Sequence, residues 1–189
     1  MNPYKLIDKI YKNNEEAKKI LLTHSNQVKN RALKIVLNYQ NKINNEKNNK
    51  KIKKINMKLI ENGAILHDIG IIKINKKTMN CFGNKKYIAH GFEGFKILFF
   101  RFHPKLALIA LRHTGAGVSK DDIINQKLPL PKINMIPKSI EEEIVCLADK
   151  FYSKSKLQEE HNIEEIVDEI SKYGEKPKER MNYLINKYM

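Results

Sequence analysis

Histidine and aspartate residues lie in three of the most apolar stretches of the 189-residue chain. His24 is on the apolar stripe of a long helical pattern, His67 and Asp68 are adjacent in the run AILHDIG, and Asp149 ends the run IVCLAD. Burying such polar side chains is costly unless they are paired or bound to a metal. Four of them on core-facing turns of three predicted helices need a common explanation, and a divalent cation supplies one.

The chemistry of these four side chains favours a transition metal. Neutral imidazoles and carboxylates bind zinc, iron, manganese and related ions, and helices present them rigidly toward a bundle interior. The mixed nitrogen and oxygen set favours a transition metal over calcium, without choosing among Fe, Mn, Co, Ni and Zn.

Each piece of this pattern is weak when taken alone. An adjacent His-Asp pair arises by chance in roughly one chain in five. A lone histidine such as His24 on an apolar face is more often a satisfied core residue, and Asp149 alone is also consistent with a buried cap or an ion-pair partner. The ordered combination, with Gly70 two residues after Asp68, is far more specific.

This order resembles the H…HD…D pattern of the HD-domain superfamily of metal-dependent phosphohydrolases, and the resemblance covers about residues 15–155. It implies an all-α helical bundle whose first metal is held by His24, His67, Asp68 and Asp149. It also implies that metal-activated hydroxide cleaves a phosphate ester or anhydride, preferably of a nucleotide, with Asp68 as a catalytic residue.

The resemblance extends to a second metal. His90 and His113 stand where binuclear members of the superfamily carry two additional ligands, and Asp68 would then bridge both ions. One or two divalent ions are therefore the expected cofactor, as in the small single-domain members that hydrolyse nucleotides. The chain has no GYP motif, which argues against cyclic diguanylate cleavage, and Ile71 stands where a lysine often follows the HDIG motif.

Four further side chains are candidates for binding the substrate phosphate: Arg112, Thr114, Lys150 and Lys154. Lys150 is also predicted to stabilise charge on the transferring phosphoryl group, which makes it a second candidate catalytic residue. The cations are equally consistent with ordinary surface charge, and the glycines after Thr114 are equally consistent with a helix stop. His103, before Pro104, is predicted to begin a helix, and His161 is predicted to be exposed.

Helices joined by short loops must position these residues. The predicted helices are 3–12, 15 to about 43, 56 to about 72, 91–102, 104–113, a short one capped by Ser119, one from the cap Ser139 to about 155, about 162–173, and 177 to the end. Residues 44–54 are predicted to be a solvated helix end or loop, 73–86 a loop, and the proline-rich 128–137 an extended segment.

The fold class that follows is all-α, a single-domain helical bundle over residues 1–189. The motif-bearing core spans about 15–155, and the C-terminal helices span about 160–189. The sequence has no internal repeat, no linker and almost no alternating strand pattern.

The net charge of +15 invites a nucleic-acid interpretation, but most of the excess is lysine mixed with asparagine and isoleucine. That composition is typical of an AT-rich coding sequence. A nucleic-acid partner is therefore less favoured than a small phosphorylated substrate such as a nucleotide. Two cysteines without paired spacing give no disulfide framework and no thiolate zinc motif.

No apolar run approaches the roughly 20 residues that cross a bilayer, and the first residues have no signal-peptide pattern. The expected location is therefore the cytoplasm, with no membrane partner. Three alternatives stay open: a phosphodiesterase acting on cyclic or oligonucleotides, a metal-binding domain without activity, and a nucleic-acid-binding helical protein. The oligomeric state is not predicted.

Overall fold

A computed structural model of the chain describes residues 2–45, 55–101, 103–154 and 156–189, of which residues 101 and 156–158 are described without their side chains. Nine α-helices and two small hairpins lie within these ranges. The helices are α1 (Pro3–Ile10), α2 (Glu15–Asn45), α3 (Met57–Leu66), α4 (His90–Arg101), α5 (Pro104–Arg112), α6 (Lys120–Asn125), α7 (Ile140–Asp149), α8 (Ile163–Ser171) and α9 (Glu175–Tyr188). The strands are β1 (Asn75–Lys76), β2 (Cys81–Phe82), β3 (Tyr152–Ser153) and β4 (Lys156–Glu160).

The core forms where the long helix α2 packs against α3, α7 and α9. Its buried residues recur every three or four positions, which is the spacing of one helix face. They are Ala17, Leu21, His24, Ser25, Val28, Ala32, Ile35 and Val36. The last four residues of α3, 63–66, are all buried, as their apolar run predicts. The all-α prediction is confirmed.

Polar caps begin several of the helices. The side chains of Ser119, Ser139 and Asn162 each accept a hydrogen bond from a backbone N–H in the first turn that follows. Ser119 and Asn162 also form complete capping boxes with the acidic residue three positions later. Because these signals are local, the helix starts at 119 and 139 were predictable.

The helix predicted over 56–72 is wrong beyond Leu66. The chain leaves helical geometry at Asp68 (φ −100°, ψ 9°) and continues as a 3-10 helix over Ile69–Lys73. A Cβ on Gly70 would lie 2.1 Å from the carbonyl oxygen of His90 and 2.3 Å from the amide nitrogen of Gly94. This close backbone approach to α4 decides the local geometry, and a tertiary contact of this kind overrides local helix propensity.

The helix predicted to reach residue 155 is also wrong, because α7 ends at Asp149. The chain then folds into the antiparallel pair β3 and β4. The hairpin is anchored by Phe151, which is 2% exposed, lies under the guanidinium of Arg31 at 3.7 Å and accepts a backbone hydrogen bond from His161. Strands this short have no alternating pattern from which to predict them.

The predictions for two irregular segments have different outcomes. Segment 73–86 contains the hairpin β1–β2, which was predicted as loop. Segment 128–137 contains no helix, as predicted, and Met135 exchanges two backbone hydrogen bonds with Val118. The polar segment 44–54 was predicted to be a helix end or a loop. Its first two residues, 44–45, complete α2, and the other nine, 46–54, lie outside the described residues. Among the described residues, every helix is too short or too polar to cross a lipid bilayer.

Candidate metal centre

Six polar side chains from five helical elements meet in the interior, and each is at most 4% exposed. One lies in the middle of α2, and the others lie at or next to helix ends, where the chain enters or leaves a turn. They are His24 on α2, His67 and Asp68 directly after α3, His90 at the start of α4, His113 directly after α5, and Asp149 at the end of α7.

Four of the six form a first group of two imidazoles and two carboxylates. Asp149 Oδ1 lies 2.9 Å from His24 Nε2 and 3.2 Å from His67 Nε2. Asp68 Oδ2 lies 3.4 Å and 3.2 Å from the same two nitrogens. One ligand atom from each of the four lies within 4.8 Å of the others, which suits a single transition-metal ion.

A second group forms around the other oxygen of Asp68. Asp68 Oδ1 lies 3.3 Å from His90 Nε2 and 3.3 Å from His113 Nε2, and these two nitrogens are 2.9 Å apart. The carboxylate of Asp68 therefore presents one oxygen to each group, which is the arrangement needed to bridge two ions.

Backbone carbonyls fix the tautomers of three of these histidines. The Nδ1–H of His67 donates to the carbonyl of Ala64 at 2.7 Å, that of His90 to Tyr87 at 2.7 Å, and that of His113 to Ala110 at 2.8 Å. Because a carbonyl only accepts hydrogen bonds, each ring carries its proton on Nδ1. Each Nε2 therefore points an unshared electron pair into the centre, as in metal-binding histidines.

The centre consequently contains acceptors that face one another. The Nε2 atoms of His90 and His113 lie 2.9 Å apart, with no hydrogen available to join them in the neutral rings. Burial lowers the pKa of His24, His90 and His113 to about 3, so protons do not fill the gap near neutral pH. A cluster of neutral imidazoles and carboxylates with this geometry fits a divalent metal ion.

Two lysines supply positive charge at the edge of the centre. Lys150 Nζ lies 2.6 Å from Asp149 Oδ2, and Lys154 Nζ lies 2.8 Å from Asp68 Oδ2. Burial lowers the pKa of Lys154 to about 7. Burial also acts to lower the pKa of Lys150, but the adjacent Asp149 outweighs it and raises that pKa.

The carboxyl group of Asp149 is ionised in this setting. Burial acts to raise its pKa, but the charge of Lys150 and the hydrogen bond from His24 hold the pKa well below its usual range. The group is therefore negatively charged over the whole physiological pH range.

A cavity of about 450 Å³ borders the centre. Its lining includes three of the four predicted phosphate-binding residues, namely Thr114, Lys150 and Lys154, together with His90 and Asp149. The Thr114 hydroxyl lies 3.5 Å from His90 Nε2. The structure therefore brings these polar groups to one end of the cavity, next to the candidate metal ligands.

Arg112 is not brought to the cavity, contrary to its predicted place there. Its guanidinium donates hydrogen bonds to both carboxylate oxygens of Glu142, at 3.0 and 2.9 Å. Arg112 and His113 are consecutive, but successive residues of a helix point in directions about 100° apart. The arginine thus ties α5 to α7, whereas the histidine enters the centre.

Sequence reasoning missed three other residues that line the cavity, namely Tyr87, Glu169 and Tyr173. No motif marks these residues, and their proximity depends on how α8 packs.

The two histidines that were not predicted to be metal ligands lie outside the cluster, as predicted. His103 caps α5 through a hydrogen bond from the amide of Lys105 to its Nδ1, and His161, which was predicted to be exposed, is half-buried and lies 3.7 Å from Glu165.

Comparison with known proteins points the same way as the geometry. The family model for the HD domain matches residues 9–154. An uncharacterised protein of Methanocaldococcus jannaschii is 36% identical over 123 residues, which are 65% of this chain and 61% of that protein. No solved structure matches the chain significantly.

Two further relatives are named tRNA (cytidine(56)-2'-O)-methyltransferase. The protein from Picrophilus torridus is 34% identical over 112 residues, which are 59% of this chain and 28% of that protein. The protein from Thermoplasma volcanium is 29% identical over 116 residues, which are 61% of this chain and 30% of that protein. The chain thus spans less than two thirds of each of these three relatives.

Proposed function

Because this chain belongs to the HD-domain superfamily of phosphohydrolases, we propose that it hydrolyses a phosphate ester or anhydride of a nucleotide, using one or two divalent transition-metal ions. The single observation that carries the proposal is the buried centre in which imidazole and carboxylate acceptors face one another. A divalent cation would satisfy these facing acceptors, and divalent cations catalyse phosphoryl transfer to water.

The proposed ligands divide as the two groups do. His24, His67 and Asp149 would hold the first ion, His90 and His113 the second, and Asp68 would contact both. Bound there, the ions supply a nucleophilic water near neutral pH and polarise the phosphoryl oxygen. The Nδ1 hydrogen bonds hold His67, His90 and His113 in the orientation that this role requires.

The residues at the metal end of the cavity would bind the substrate phosphate. The ammonium groups of Lys150 and Lys154 and the hydroxyl of Thr114 lie on the wall beside the centre. They would offset negative charge that develops on the phosphoryl oxygens during the reaction. Cys146 is not a candidate nucleophile, because its thiol donates to the carbonyls of His113 and Gly115 and burial raises its pKa to about 12.

The direct test is the metal content of anaerobically purified protein, measured together with phosphate release from a panel of nucleotides. We expect about two metal ions per chain, and metal-dependent release from one class of substrate. In the double variant His90→Ala, His113→Ala we expect about one ion and loss of activity. His103→Ala, which removes an exposed histidine, is the matched control and should retain both properties.

One outcome would contradict only the binuclear version of the proposal, and another would contradict the proposal as a whole. A fully active His90→Ala, His113→Ala variant would exclude the binuclear version and leave a mononuclear enzyme. Protein that binds no metal and releases no phosphate after reconstitution with iron or manganese would overturn the central claim.

A second candidate substrate is an RNA phosphate. It is favoured by the two relatives named tRNA methyltransferases, together with the net charge of +15. The shared segment is at most 30% of those proteins, so methyl transfer is not proposed for this chain. Adding tRNA and short oligonucleotides to the panel separates a phosphodiesterase from a nucleotidase, because only the former would release nucleotides from them.

A further inference from the structure

The cavity begins at the metal centre, and part of its lining comes from residues beyond the segment that the HD-domain family model matches. The match ends at residue 154, whereas Glu169, Ile170, Tyr173 and Pro177 come from α8, the turn after it, and α9. The phosphate end therefore belongs to the matched segment, and the far end is built by the part of the chain that follows it. A substrate that fills the cavity must contact both.

Tyr87 forms the wall next to the metal centre. Its ring centroid lies 4.8 Å from that of His90 with 31° between the planes, so the tyrosine continues the surface of a candidate ligand into the cavity. The side chain is 39% exposed despite this position. Tyr87 therefore lines the cavity with a partly exposed aromatic ring.

Tyr173 forms part of the far wall and is 55% exposed. Its backbone is held on both sides, because its N–H donates to the carbonyl of Ile170 at 3.0 Å and its carbonyl accepts from Gln126 Nε2 at 3.1 Å. An aromatic ring on a fixed backbone, open toward a cavity, gives a planar ligand a stacking surface at little cost in conformational entropy.

Glu169 adds a hydrogen-bond acceptor to the same wall. Its carboxylate is exposed, and its charge acts on the ammonium groups of Lys150 and Lys154 across the cavity without a hydrogen bond to either. An alkyl chain in the cavity would leave this carboxylate unused or would bury it at a cost. A nucleoside, by contrast, offers a flat apolar ring together with N–H and O–H donors at its edge.

We propose that Tyr87, Tyr173 and Glu169 form a nucleoside subsite, which rests on the proposed function and names its substrate class. The base stacks against the tyrosine rings, and Glu169 accepts a hydrogen bond from the base or the ribose. The phosphate then lies at Lys150 and Lys154. A volume of about 450 Å³ is in the range of small-molecule sites, so the occupant is a single nucleoside phosphate.

The experiment compares two non-hydrolysable probes on the metal-reconstituted full chain by calorimetry. One is the phosphonate analogue of adenosine monophosphate, and the other is the same analogue without the base. We expect the base to strengthen binding by about 10-fold or more, as stacking on an aromatic side chain does. Tyr173→Ala should reduce that preference to less than about threefold while leaving the baseless probe unchanged, and Tyr173→Phe should retain it.

Tyr183→Ala is the matched control, because Tyr183 is equally exposed on α9 but does not line the cavity. A second readout is metal-dependent hydrolysis of glycerol phosphate, which has neither a base nor an aromatic ring, by the wild type and Tyr183→Ala, and the two rates should be equal. Equal binding of the two probes by the wild type, with hydrolysis intact, would overturn the subsite and leave the proposed function standing. A base preference without hydrolysis of any substrate would support the subsite and overturn the proposed function.

Discussion

At the scale of single residues, the centre is arranged before any ion arrives. Three of the four histidines use Nδ1 to satisfy a backbone carbonyl, which leaves Nε2 as a fixed, unprotonated donor of an electron pair. A ligand whose orientation is already set loses little freedom on binding. Single substitutions in the centre should therefore affect metal binding more than folding.

Asp68 is the residue on which both groups depend. Asp68→Asn keeps the shape of the side chain but removes the negative charge that faces His24 and His67 on one side and His90 and His113 on the other. We expect loss of measurable metal-dependent phosphate release and a metal content below one ion per chain. Asp121→Asn changes an exposed carboxylate and should leave both unchanged. Full activity in Asp68→Asn would refute the bridging role.

The histidines also predict how the metal-free protein responds to acid. Burial lowers the pKa of His24, His90 and His113 to about 3 in the folded state, whereas the ordinary value is 6.5. Between these values the unfolded chain binds protons that the folded chain does not, so the free energy of unfolding decreases as the pH falls from 6.5. The slope is up to about 1.4 kcal/mol per pH unit for each histidine.

Urea unfolding in EDTA, at several pH values below 7, would measure this slope. The double variant His90→Gln, His113→Gln removes two of the three groups and should give a shallower dependence than the wild type. A wild-type stability that stays constant between pH 6.5 and pH 5 would show that these rings are not held neutral.

At the scale of elements, the sequence predicts the helices that carry local signals and misses those decided by packing. The caps at Ser119 and Ser139 and the proline at 104 mark helix starts that the structure confirms. The end of α3 at Leu66 was missed, because it depends on the approach of α4 to Gly70.

The same distinction applies to the site. Its six polar residues stand out because they interrupt apolar runs or fit a family pattern, and the structure brings all six together. Arg112 was misplaced, because sequence does not show that Glu142 is its partner. The wall at Glu169 and Tyr173 carries no motif, and only the packing of α8 places it beside the cavity.

A substitution at Gly70 tests how closely the 3-10 helix and α4 must approach each other. In Gly70→Ala the new Cβ would meet backbone atoms of His90 and Gly94, which cannot move as a side chain can. We expect a loss of about 1–3 kcal/mol in the free energy of unfolding and weaker binding of the ion that His90 is proposed to hold. Urea unfolding and metal content measure the two effects.

Gly63→Ala is the matched control, because its Cβ would meet the flexible end of the Ile109 side chain at 2.5 Å. Small side-chain shifts can accommodate this contact, and alanine favours a helix interior over glycine by about 0.5–1 kcal/mol. Equal destabilisation by the two substitutions would show that the backbone contact at Gly70 has no special role.

At the scale of the whole molecule, bound metal would join elements that are distant in sequence. The candidate ligands come from α2, α4, α7 and the ends of α3 and α5. An ion that binds only the folded state at 100 times its Kd adds about 2.7 kcal/mol to the free energy of unfolding. For a chain of this size, chelation with EDTA should lower the Tm by about 5–10 °C. A Tm that EDTA leaves unchanged in metal-loaded protein would argue against a structural contribution.

The net charge of +15 also acts on the whole molecule. If it reflects composition alone, tRNA and an unrelated RNA of equal length should bind equally, and both affinities should fall steeply between 50 and 200 mM salt, as counterion release requires. Filter binding at several salt concentrations would measure both. A clear preference for tRNA at the higher salt would instead favour the RNA phosphate as substrate.

In His67, His90 and His113, Nδ1–H donates to the backbone carbonyl three residues earlier. The position of each ring in the centre therefore depends on the number of residues in that turn. Each such histidine sits at the end of a short helical turn, and one residue more or less in that turn would rotate the ring by about 100° about the helix axis. We therefore expect a one-residue insertion within such a turn to remove its ring from the centre, which makes the length of these three turns a condition for a complete set of candidate ligands.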